Sequence, residues 1–391
     1  PTADRTITFP DATGNVAVFT TAPTAAIADG TSGQVLTTNG SGVLSFSDMA
    51  SGADLYAANE SSPTAQPSAT GTNAIAIGDS ASAETTQAVA IGFSSRAYGN
   101  TGALAIGYNP TAFGIGATAI GYDATVNGGN YAVALGRSFA NGGDSFAAAI
   151  GNNSSSYGAT GAGAVAIGNL AKATSADSIA IGDTTLSTAT NSLALGADAY
   201  ALATNAAAIG NSRASGTDSF AANITDNSTS YGASGSNSIA IGYRSKATGT
   251  GATGIGYFTQ ATAQETQSIG SYSQATGLRS SAFGYQAQQS GSYSIVLGPQ
   301  SNANVDNTTA LGYYARARDV IGRHGYGNGL FSSAGDSQHG LFILRSDTTD
   351  ATAEALTTNN STASTNNQII LPNNSAYSFS GTIIARESAT D

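Results

Sequence analysis

The sequence predicts an all-β protein built around a parallel β-roll, a β-solenoid with coils of about 14 residues. The first observation is a phrase of small and β-branched residues closing on glycine, as in Ala-Ile-Ala-Ile-Gly at 74–78, which recurs from Asn73 to Tyr314. The second is a period of two on both sides of each glycine, which is the period of a β-strand. The third is a composition with 49 glycines and only 9% charged residues, which is unlike that of ordinary enzymes.

Glycines set the length of each predicted coil. Glycine tolerates the positive φ angle or the crowded turn needed where one strand gives way to the next. We therefore expect these residues to have a structural role in the coil turns. They are Gly78, Gly92, Gly107, Gly121, Gly136, Gly151, Gly168, Gly182, Gly196, Gly210, Gly242, Gly256, Gly270, Gly284, Gly298 and Gly312, with Thr225 in the place of one glycine.

Two intervals between these anchors are longer than the rest, from Gly151 to Gly168 and from Thr225 to Gly242. Each carries a near-identical insert, Ser-Tyr-Gly-Ala, at 156–159 and at 230–233. The two inserts lie 74 residues apart, as do the two Asp-Ser-Phe-Ala-Ala blocks at 144–148 and 218–222. We infer that a block of five coils was duplicated, and that the extra residues bulge outward.

The phase of the apolar residues predicts two short strands per coil. Aliphatic residues precede the glycine by three and one positions, as in Ile75 and Ile77, while small residues follow it, as in Ala171 and Ala173. We expect the aliphatic side chains to fill a thin interior, which leaves the central Ala76 and its equivalents outside for a neighbouring chain. Because cyclic closure protects exposed faces and edges, the chain is predicted to form a homotrimer.

The flanks predict smaller β regions on either side of the roll. Residues 1–50 form an N-terminal β segment, with alternation at 5–9 and a hairpin over 34–46 whose Asn39-Gly40 suits a tight turn. Residues 51–72 are a linker, 73–318 the roll, and 319–391 a C-terminal β domain with strands at 341–344, 368–371 and 377–384. Because the chain begins at Pro1 without methionine, we expect a processed chain or a piece of a longer one.

Charge and cysteine content exclude several classes of function. The net charge of −11, with two lysines among 13 basic residues, is opposite to the basic surface that binds nucleic acid. Without cysteine there is neither a disulfide nor a thiolate metal site. No apolar run reaches the ~18 residues of a membrane span, so membrane insertion is not expected. No cofactor is predicted.

Aromatic residues directly follow many of the anchor glycines, and this places them along one edge of the roll. Stacked rings can present platforms to sugars, or can simply shield the turns as an aromatic ladder. We expect the insert tyrosines to protrude more, so that they either contact a ligand or belong to loops that merely accommodate the duplication. The candidate receptor or glycan contacts are Phe93, Tyr108, Tyr122, Tyr157, Tyr231, Tyr243, Tyr257, Tyr285 and Tyr313.

The sequence gives little support for a catalytic site or a metal site. Gly78-Asp79-Ser80 and the Asp336/His339 pair are similar to esterase motifs, but Gly-Asp recurs in the same phase at Gly182-Asp183, so chance explains the match. The acidic residues are too scattered for the paired carboxylates of a depolymerase. Of metal sites, we keep open an ion on a trimer axis at His324 or His339, or calcium on the turns, but predict none.

The repeat resembles the head repeats of YadA-type trimeric autotransporter adhesins over about 240 residues. That resemblance implies a left-handed parallel β-roll assembled as a trimer. The flanks, at 5–14, 33–40, 338–345 and 368–377, are similar to tail-fibre and other virion proteins of marine cyanobacterial phages. In that family the C-terminal region continues further, so we expect the domain at 319–391 to be incomplete.

Together the two resemblances imply a structural, non-enzymatic virion fibre that attaches to a host cell. Its partners would be tail, baseplate or capsid proteins and a glycan or protein of the host surface. The alternatives are a bacterial adhesin head on the cell surface and, in another class, a fibre-borne polysaccharide depolymerase.

Overall fold

The structure is a computed structural model that describes residues 34–38, 44–48, 65–152, 154–348, 350–371 and 376–385. Two compact units divide the chain, Pro1–Leu55 and Tyr56–Asp391. All regular elements in the described residues are strands, without a helix. The all-β class predicted from the sequence is therefore confirmed.

The first unit contains an antiparallel hairpin of β1 (Gln34–Thr38) and β2 (Leu44–Asp48). Thr38 pairs with Leu44, so the connection spans residues 39–43 and is longer than a two-residue turn. The predicted turn at Asn39-Gly40 and the predicted alternation at 5–9 lie outside the described residues. Within the described part, the two hairpin strands form as predicted.

The second unit is the roll, with two sheets that alternate along the chain. The odd-numbered sheet contains β3 (Ser68–Ala69), β5 (Ser82–Ala83), β7 (Arg96–Tyr98), β9 (Thr111–Phe113), β11 (Thr125–Asn127), β13 (Phe139–Ala140), β15 (Gly158–Ala159), β17 (Lys172–Ala173), β19 (Leu186–Ser187), β21 (Tyr200–Ala201), β23 (Arg213–Ala214), β25 (Gly232–Ala233), β27 (Lys246–Ala247), β29 (Gln260–Ala261), β31 (Gln274–Ala275), β33 (Gln288–Gln289) and β35 (Asn302–Ala303).

The even-numbered sheet contains β4 (Ile75–Ile77), β6 (Val89–Ile91), β8 (Leu104–Ile106), β10 (Thr118–Ile120), β12 (Val133–Leu135), β14 (Phe146–Ala148), β16 (Val165–Ile167), β18 (Ile179–Ile181), β20 (Leu193–Leu195), β22 (Ala207–Ile209), β24 (Phe220–Ala222), β26 (Ile239–Ile241), β28 (Thr253–Ile255), β30 (Gln267–Ile269), β32 (Ser281–Phe283), β34 (Ile295–Leu297) and β36 (Thr309–Tyr313). It is extended by β37 (His324–Asn328) and β38 (Gln338–Leu341).

Each strand pairs in parallel with the equivalent strand one coil away. In the even sheet, for example, Ile179 pairs with Leu193 and Ala180 with Ala194. Pairing runs in series along both sheets, and no pairing in the described residues joins a sheet's first strand to its last. At ~4.8 Å per strand, seventeen coils span roughly 80 Å. The predicted β-solenoid is confirmed.

The interior of the roll is lined by alanine, and this corrects the predicted assignment of its two faces. The central alanines of the even strands, such as Ala180, are buried, whereas the flanking Ile179 and Ile181 are only partly covered. The odd strands add the second layer of small residues, such as Ala171 and Ala173. Because turns of about four residues hold the two sheets close together, most of the side chains between them are small, and larger ones such as Val126 and Ile150 are exceptions.

Serine and threonine also occur in this interior, where most of their hydroxyls find partners; the hydroxyls of Ser145 and Ser219 have none in the described residues. The Ser187 hydroxyl lies 2.6 Å from that of Ser192, and the Ser245 hydroxyl lies 2.6 Å from that of Thr259. Other hydroxyls donate to the backbone of their own turn, as Ser95 does to Gly92 O at 3.0 Å. A buried hydroxyl without such a partner would destabilise the fold by ~1–3 kcal/mol.

All sixteen anchor glycines have positive φ, between 68° and 138°. At Gly182 (φ 135°), an added Cβ would lie 2.5 Å from the carbonyl oxygen of Gly196 in the next coil. In the regular coils a second left-handed position follows the anchor by two residues, as at Thr184 (φ 55°). There the crowded stack of backbones requires glycine for space as well as for φ, whereas at Gly136 and Gly210 nothing lies within 4 Å of an added Cβ.

The coils that contain the inserts have a different register from the one the sequence predicts. Leu135 pairs with Ala148, and Ala148 in turn with Ile167, so the residue equivalent to Gly136 and Gly168 is Ala149 (φ 55°) and not Gly151. The same pairings in the second copy place Asn223 (φ 54°) and not Thr225 at the coil closure. Each long coil is thus preceded by a shortened one. The regular spacing of the glycines in the sequence hides this shift of register.

Both ends of the roll extend beyond the regular coils. The first strand, β3, lies within the segment 51–72 that was predicted as a linker. At the other end β37 pairs in parallel with β36, and β38 pairs antiparallel with β37. Of the predicted C-terminal strands, the one at 341–344 is reduced to the end of β38, and those at 368–371 and 377–384 do not form in the described residues. A strand needs a backbone partner, and these segments lie without one.

Candidate functional site

The roll presents three distinct surfaces, and each is set by a fixed position in the coil. We call the outward side of the even sheet the aliphatic face and the outward side of the odd sheet the polar face. Between them run the edges formed by the turns. The aliphatic face carries Ile75, Ile77, Val89, Ile91, Leu104, Ile106, Val133, Leu135, Val165, Ile167, Ile179, Ile181, Leu193, Leu195, Ile239, Ile241, Ile295 and Leu297.

The aliphatic face is open to solvent in the single chain. Leu195 is 40% exposed and Leu297 is 49% exposed, and both lie in a stripe that continues from coil to coil. Soluble monomers rarely expose contiguous apolar patches of more than a few hundred Å². The large side chains that were predicted to fill the interior therefore form an external surface.

The first group of edge aromatics is a stacked ladder. The Tyr108 ring lies 5.0 Å from the Phe93 ring and 5.1 Å from the Tyr122 ring, with interplanar angles of 16° and 6°. Both faces of Tyr108 are therefore covered, and only ring edges point toward solvent. This geometry matches the shielding interpretation better than that of a platform for sugar faces.

A second ladder follows the inserted coil of the second copy. Tyr243 stacks on Tyr257 at 5.1 Å, while Phe258 meets Tyr257 edge-on at 4.7 Å and stacks on Tyr272 at 5.6 Å. Tyr285 meets Tyr272 edge-on at 6.4 Å. This ladder is a double row, because Tyr243, Tyr257 and Tyr285 occupy the first position after the anchor glycine and Phe258 and Tyr272 occupy the second.

The last edge aromatic, Tyr313, packs against its neighbour Tyr314 at 4.3 Å. The Tyr314 hydroxyl raises the pKa of Tyr313 above its ordinary value. This pair stands apart from the ladder at Tyr285.

The insert tyrosines are less exposed than the ladder tyrosines. Tyr157 and Tyr231 are half-buried and pack against the alanine core of their own region. The expectation that they protrude more than the ladder is therefore wrong. Their inward packing is possible because the longer coil turns Ile150 and Ile224 into the interior, where both are fully buried.

Tyr231 borders a cavity on the surface of the roll. The cavity has a volume of about 200 Å³ and is lined by Ser230, Tyr231, Arg244, Lys246, Phe258 and Gln260. The Arg244 guanidinium lies 5.4–5.6 Å from the ring centres of Tyr231, Tyr243 and Phe258. Its Nε lies 3.6 Å from Asp226 Oδ2. A cation is thus held among aromatic rings at the edge of the polar face.

A second concavity of about 440 Å³ lies further along the polar face. It is lined mainly by amides and hydroxyls, including Gln274, Gln288 and Asn302, which occupy one position in three successive coils. Asn302 donates to Gln288 at 3.3 Å, and Gln300 donates to Gln286 at 3.2 Å. The sequence analysis missed this amide ladder and missed Arg244. The column of amides at a constant position after the glycine was the available signal.

The esterase-like motifs do not come together. Asp79 is 8% exposed and accepts hydrogen bonds from Ala65 N at 2.7 Å and from the Ser80 hydroxyl at 3.1 Å. Asp336 accepts from three backbone N–H groups of the turn at 331–333, and those of Ser333 and Ser332 lower its pKa to about 2. Ser80 lies in the first coil, whereas His339 lies beyond the last.

Histidines and carboxylates are also dispersed. In the residues that the structure describes, no three His, Asp or Glu side chains are grouped closely enough to hold a metal ion. His339 lies beside Tyr326, with ring centres 6.2 Å apart. The described residues contain no helix that is long and apolar enough to cross a membrane.

The coil geometry corresponds to a known family. The YadA head domain repeat matches residues 69–95, 86–109, 99–124, 112–138, 159–184, 187–212, 233–259, 261–287 and 290–315, which together make up just over half of the chain. This chain belongs to the YadA head repeat family. A search of curated proteins gives no match to the sequence.

The matches leave out residues 139–158 and 213–232 within the roll. These are the two places where a short coil and an insert interrupt the period, so the gaps follow from the register described above. YadA-type heads form homotrimers and belong to surface-exposed adhesins. The predicted homotrimer is consistent with this family, and the family together with the β-solenoid suggests a structural, non-enzymatic protein.

Proposed function

We propose that this YadA-type head is the shaft of a homotrimeric virion fibre that attaches the particle to a host cell. The observation that supports a multivalent, adhesive assembly is the aliphatic face. This face is too long and too apolar for a soluble single chain. The virion assignment rests on the similarity of the flanks to cyanobacterial phage fibres. Its partners would then be tail, baseplate or capsid proteins on the particle and a glycan or protein on the host.

In the proposed trimer, the three aliphatic faces pack against each other around the rod axis. Burial of apolar surface stabilises by ~25 cal/mol per Å², and the stripe repeats in nearly every coil. The polar face and its cavities then point outward on all three chains. Three identical surfaces on one rigid rod give avidity to contacts that are individually weak.

A bacterial surface adhesin is the second candidate function, and the family match favours it equally. It uses the same trimer and the same outward face, and differs only in what carries the fibre. Electron microscopy of purified virions, with an antibody against the roll, separates the two. Labelled particles support the virion fibre, while label confined to bacterial surfaces contradicts it.

The trimer is tested by light scattering on the purified chain. We expect a mass three times the 38.5 kDa of one chain, and a monomer would contradict the proposal. Ile181→Asp on the aliphatic face should dissociate the trimer. Leu186→Asp is the matched control, since Leu186 is partly covered on the outward side of the odd sheet and should leave the mass unchanged.

Attachment is tested with the fluorescently labelled wild-type trimer on candidate host cells. Saturable binding that the dissociated Ile181→Asp variant loses supports attachment through several weak contacts. Absence of binding to every host that the virion or bacterium colonises would contradict the attachment function.

A further inference from the structure

The residues that line the cavity beside Tyr231 are only partly repeated in the other duplicated block. The residues 74 positions earlier keep the tyrosine and the lysine, as Tyr157 and Lys172, but replace Arg244 by Leu170 and Phe258 by Thr184. The duplicated backbone is shared, so the roll does not require the arginine or the second ring for folding. Arg244 and Phe258 therefore shape the surface of the second block and are not needed for its folding.

The wall of the cavity is cationic in a protein that is acidic overall. Arg244 and Lys246 both line it, and none of its lining residues is a carboxylate, although the chain has a net charge of −11. Within the described residues, Lys246 has no carboxylate close enough for an ion pair. An anion in this cavity therefore meets two cationic side chains and no acidic lining residue; Asp226, which lies outside the lining, offsets part of the Arg244 charge.

Arg244 is fixed in place before any ligand arrives. Three aromatic rings surround its guanidinium, and Asp226 holds it from the far side at 3.6 Å. Asp226 is itself fixed by the backbone N–H of Ser228, which donates to it at 3.0 Å. Arg244 Nε is buried and faces Asp226, whereas the side chain as a whole is 39% exposed, which leaves its terminal nitrogens, and not Nε, as the donors for a ligand. A guanidinium that is held but not saturated is well suited to bind an anion, since little side-chain entropy is then lost.

The remaining lining groups are those that recognise a sugar ring. Tyr231 and Phe258 offer apolar ring surface, while Ser230 and Gln260 offer a hydroxyl and an amide for hydrogen bonds to hydroxyl groups. The volume of about 200 Å³ is below the ~300–1,000 Å³ of sites for drug-sized ligands. It suits a single monosaccharide unit of a longer chain.

We propose that this cavity binds one anionic sugar residue, carboxylated or sulfated, of a surface polysaccharide. Lys246 and the free donors of Arg244 take the anionic group, and the rings of Tyr231 and Phe258 flank the sugar. The proposal rests on the attachment function above and names the ligand class for it. In the trimer there are three such cavities, all on the outward side.

The test measures binding of fluorescent oligogalacturonate to the purified wild-type trimer, with a sulfated galactan oligosaccharide and a neutral galactan oligosaccharide as parallel probes. We expect the carboxylated or the sulfated probe to bind at least tenfold more tightly than the neutral one, and added salt to weaken that binding. Lys246→Gln should weaken it about tenfold, as expected for the loss of one charged hydrogen bond. Gln already stands at the equivalent position 260, so this variant should fold.

Lys172→Gln is the matched control, because it removes the equivalent lysine from the block that lacks the arginine and the second ring. It should leave binding unchanged, while Arg244→Leu, which copies the first block, should abolish the preference for anionic probes. Equal binding of all three probes, an equal effect of the two lysine variants, or equally tight binding of poly-glutamate would each overturn the proposal. If the wild-type trimer attaches to cells but fails these tests, only the ligand class is wrong; if it does not attach at all, the attachment function is wrong.

Discussion

The two inserted coils are copies of one backbone with different surfaces. In both, an isoleucine is fully buried, Ile150 in the first and Ile224 in the second, and its backbone N–H donates to a serine hydroxyl at 3.2 Å and 3.1 Å respectively. The outward positions have diverged, since Leu170 in the first coil corresponds to Arg244 in the second. Only the second coil combines an arginine with a second aromatic ring beside its insert tyrosine.

This difference shows where the roll tolerates change. Inward positions face a neighbouring sheet at close range, so that a change of even one methylene group is felt. Outward positions of the odd sheet and of the turns have no such constraint. After the duplication, the buried isoleucine and its hydrogen bond to serine were therefore retained, while the outward residues changed. The predictions below test the shared interior first and the divergent surface last.

The largest effect is expected from emptying the shared interior. Ile150→Ala and Ile224→Ala should each lower the free energy of unfolding by about 2–5 kcal/mol, since each removes a fully buried side chain and leaves a cavity. Urea unfolding followed by circular dichroism measures both. The two losses should agree within about 1 kcal/mol, which is the accuracy expected of such comparisons. A large loss in one coil and none in the other would show that the copies are not equivalent.

A smaller loss of unfolding free energy is expected when an anchor glycine is replaced by alanine. The loss should be larger at a glycine of a regular coil than at the glycine that precedes an insert. Gly182→Ala should destabilise by more than about 2 kcal/mol, because the new Cβ meets the Gly196 carbonyl and φ is 135°. Gly210→Ala should cost only about 1 kcal/mol, because φ is 70° and nothing lies within 4 Å of the added Cβ. The same unfolding measurement ranks them, and equal losses would contradict the close backbone approach at the regular coil.

The smallest change in stability is expected from replacing Asp226, which corresponds to Asn152 in the first block. Hydrogen bonds from Ser228 and the charge of Arg244 hold the pKa of Asp226 below its ordinary value. A lowered carboxyl pKa contributes stability that is present above the unfolded-state pKa of ~4 and is lost as pH falls through the folded value. For an exposed pair this is at most about 1 kcal/mol.

The comparison for that prediction is Asp226→Asn, which copies the first block. Between pH 6 and pH 3, thermal unfolding should show a slightly smaller loss of stability for the variant than for the wild type. Identical pH profiles for the two proteins would show that the Asp226–Arg244 pair does not contribute to folding.

Much of the fold could be predicted because it depends on patterns among neighbouring residues. The period of the glycines predicted the coils, and the alternation at 34–46 predicted the hairpin strands. The predicted strands at 368–371 and 377–384 did not form, because β-pairing depends on a partner that these segments lack in the described residues. At the candidate site, the tyrosine at 231 was predicted from the insert. Arg244 was not predicted, because its role depends on the rings of Tyr231 and Phe258, which two other coil segments place around it beside the adjacent Tyr243.

The sequence by itself determined the period of the roll, since turns and strand alternation are properties of neighbouring residues. It did not determine which set of alternating side chains faces inward. Period two produces two equivalent sides, and the choice of Ala180 over Ile179 for the interior depends on how closely the two sheets approach. Likewise, the coil closure at Ala149 and not at Gly151 was decided by strand register. Tertiary packing decided both because the space between the sheets, and not residue hydrophobicity, limits what can be buried.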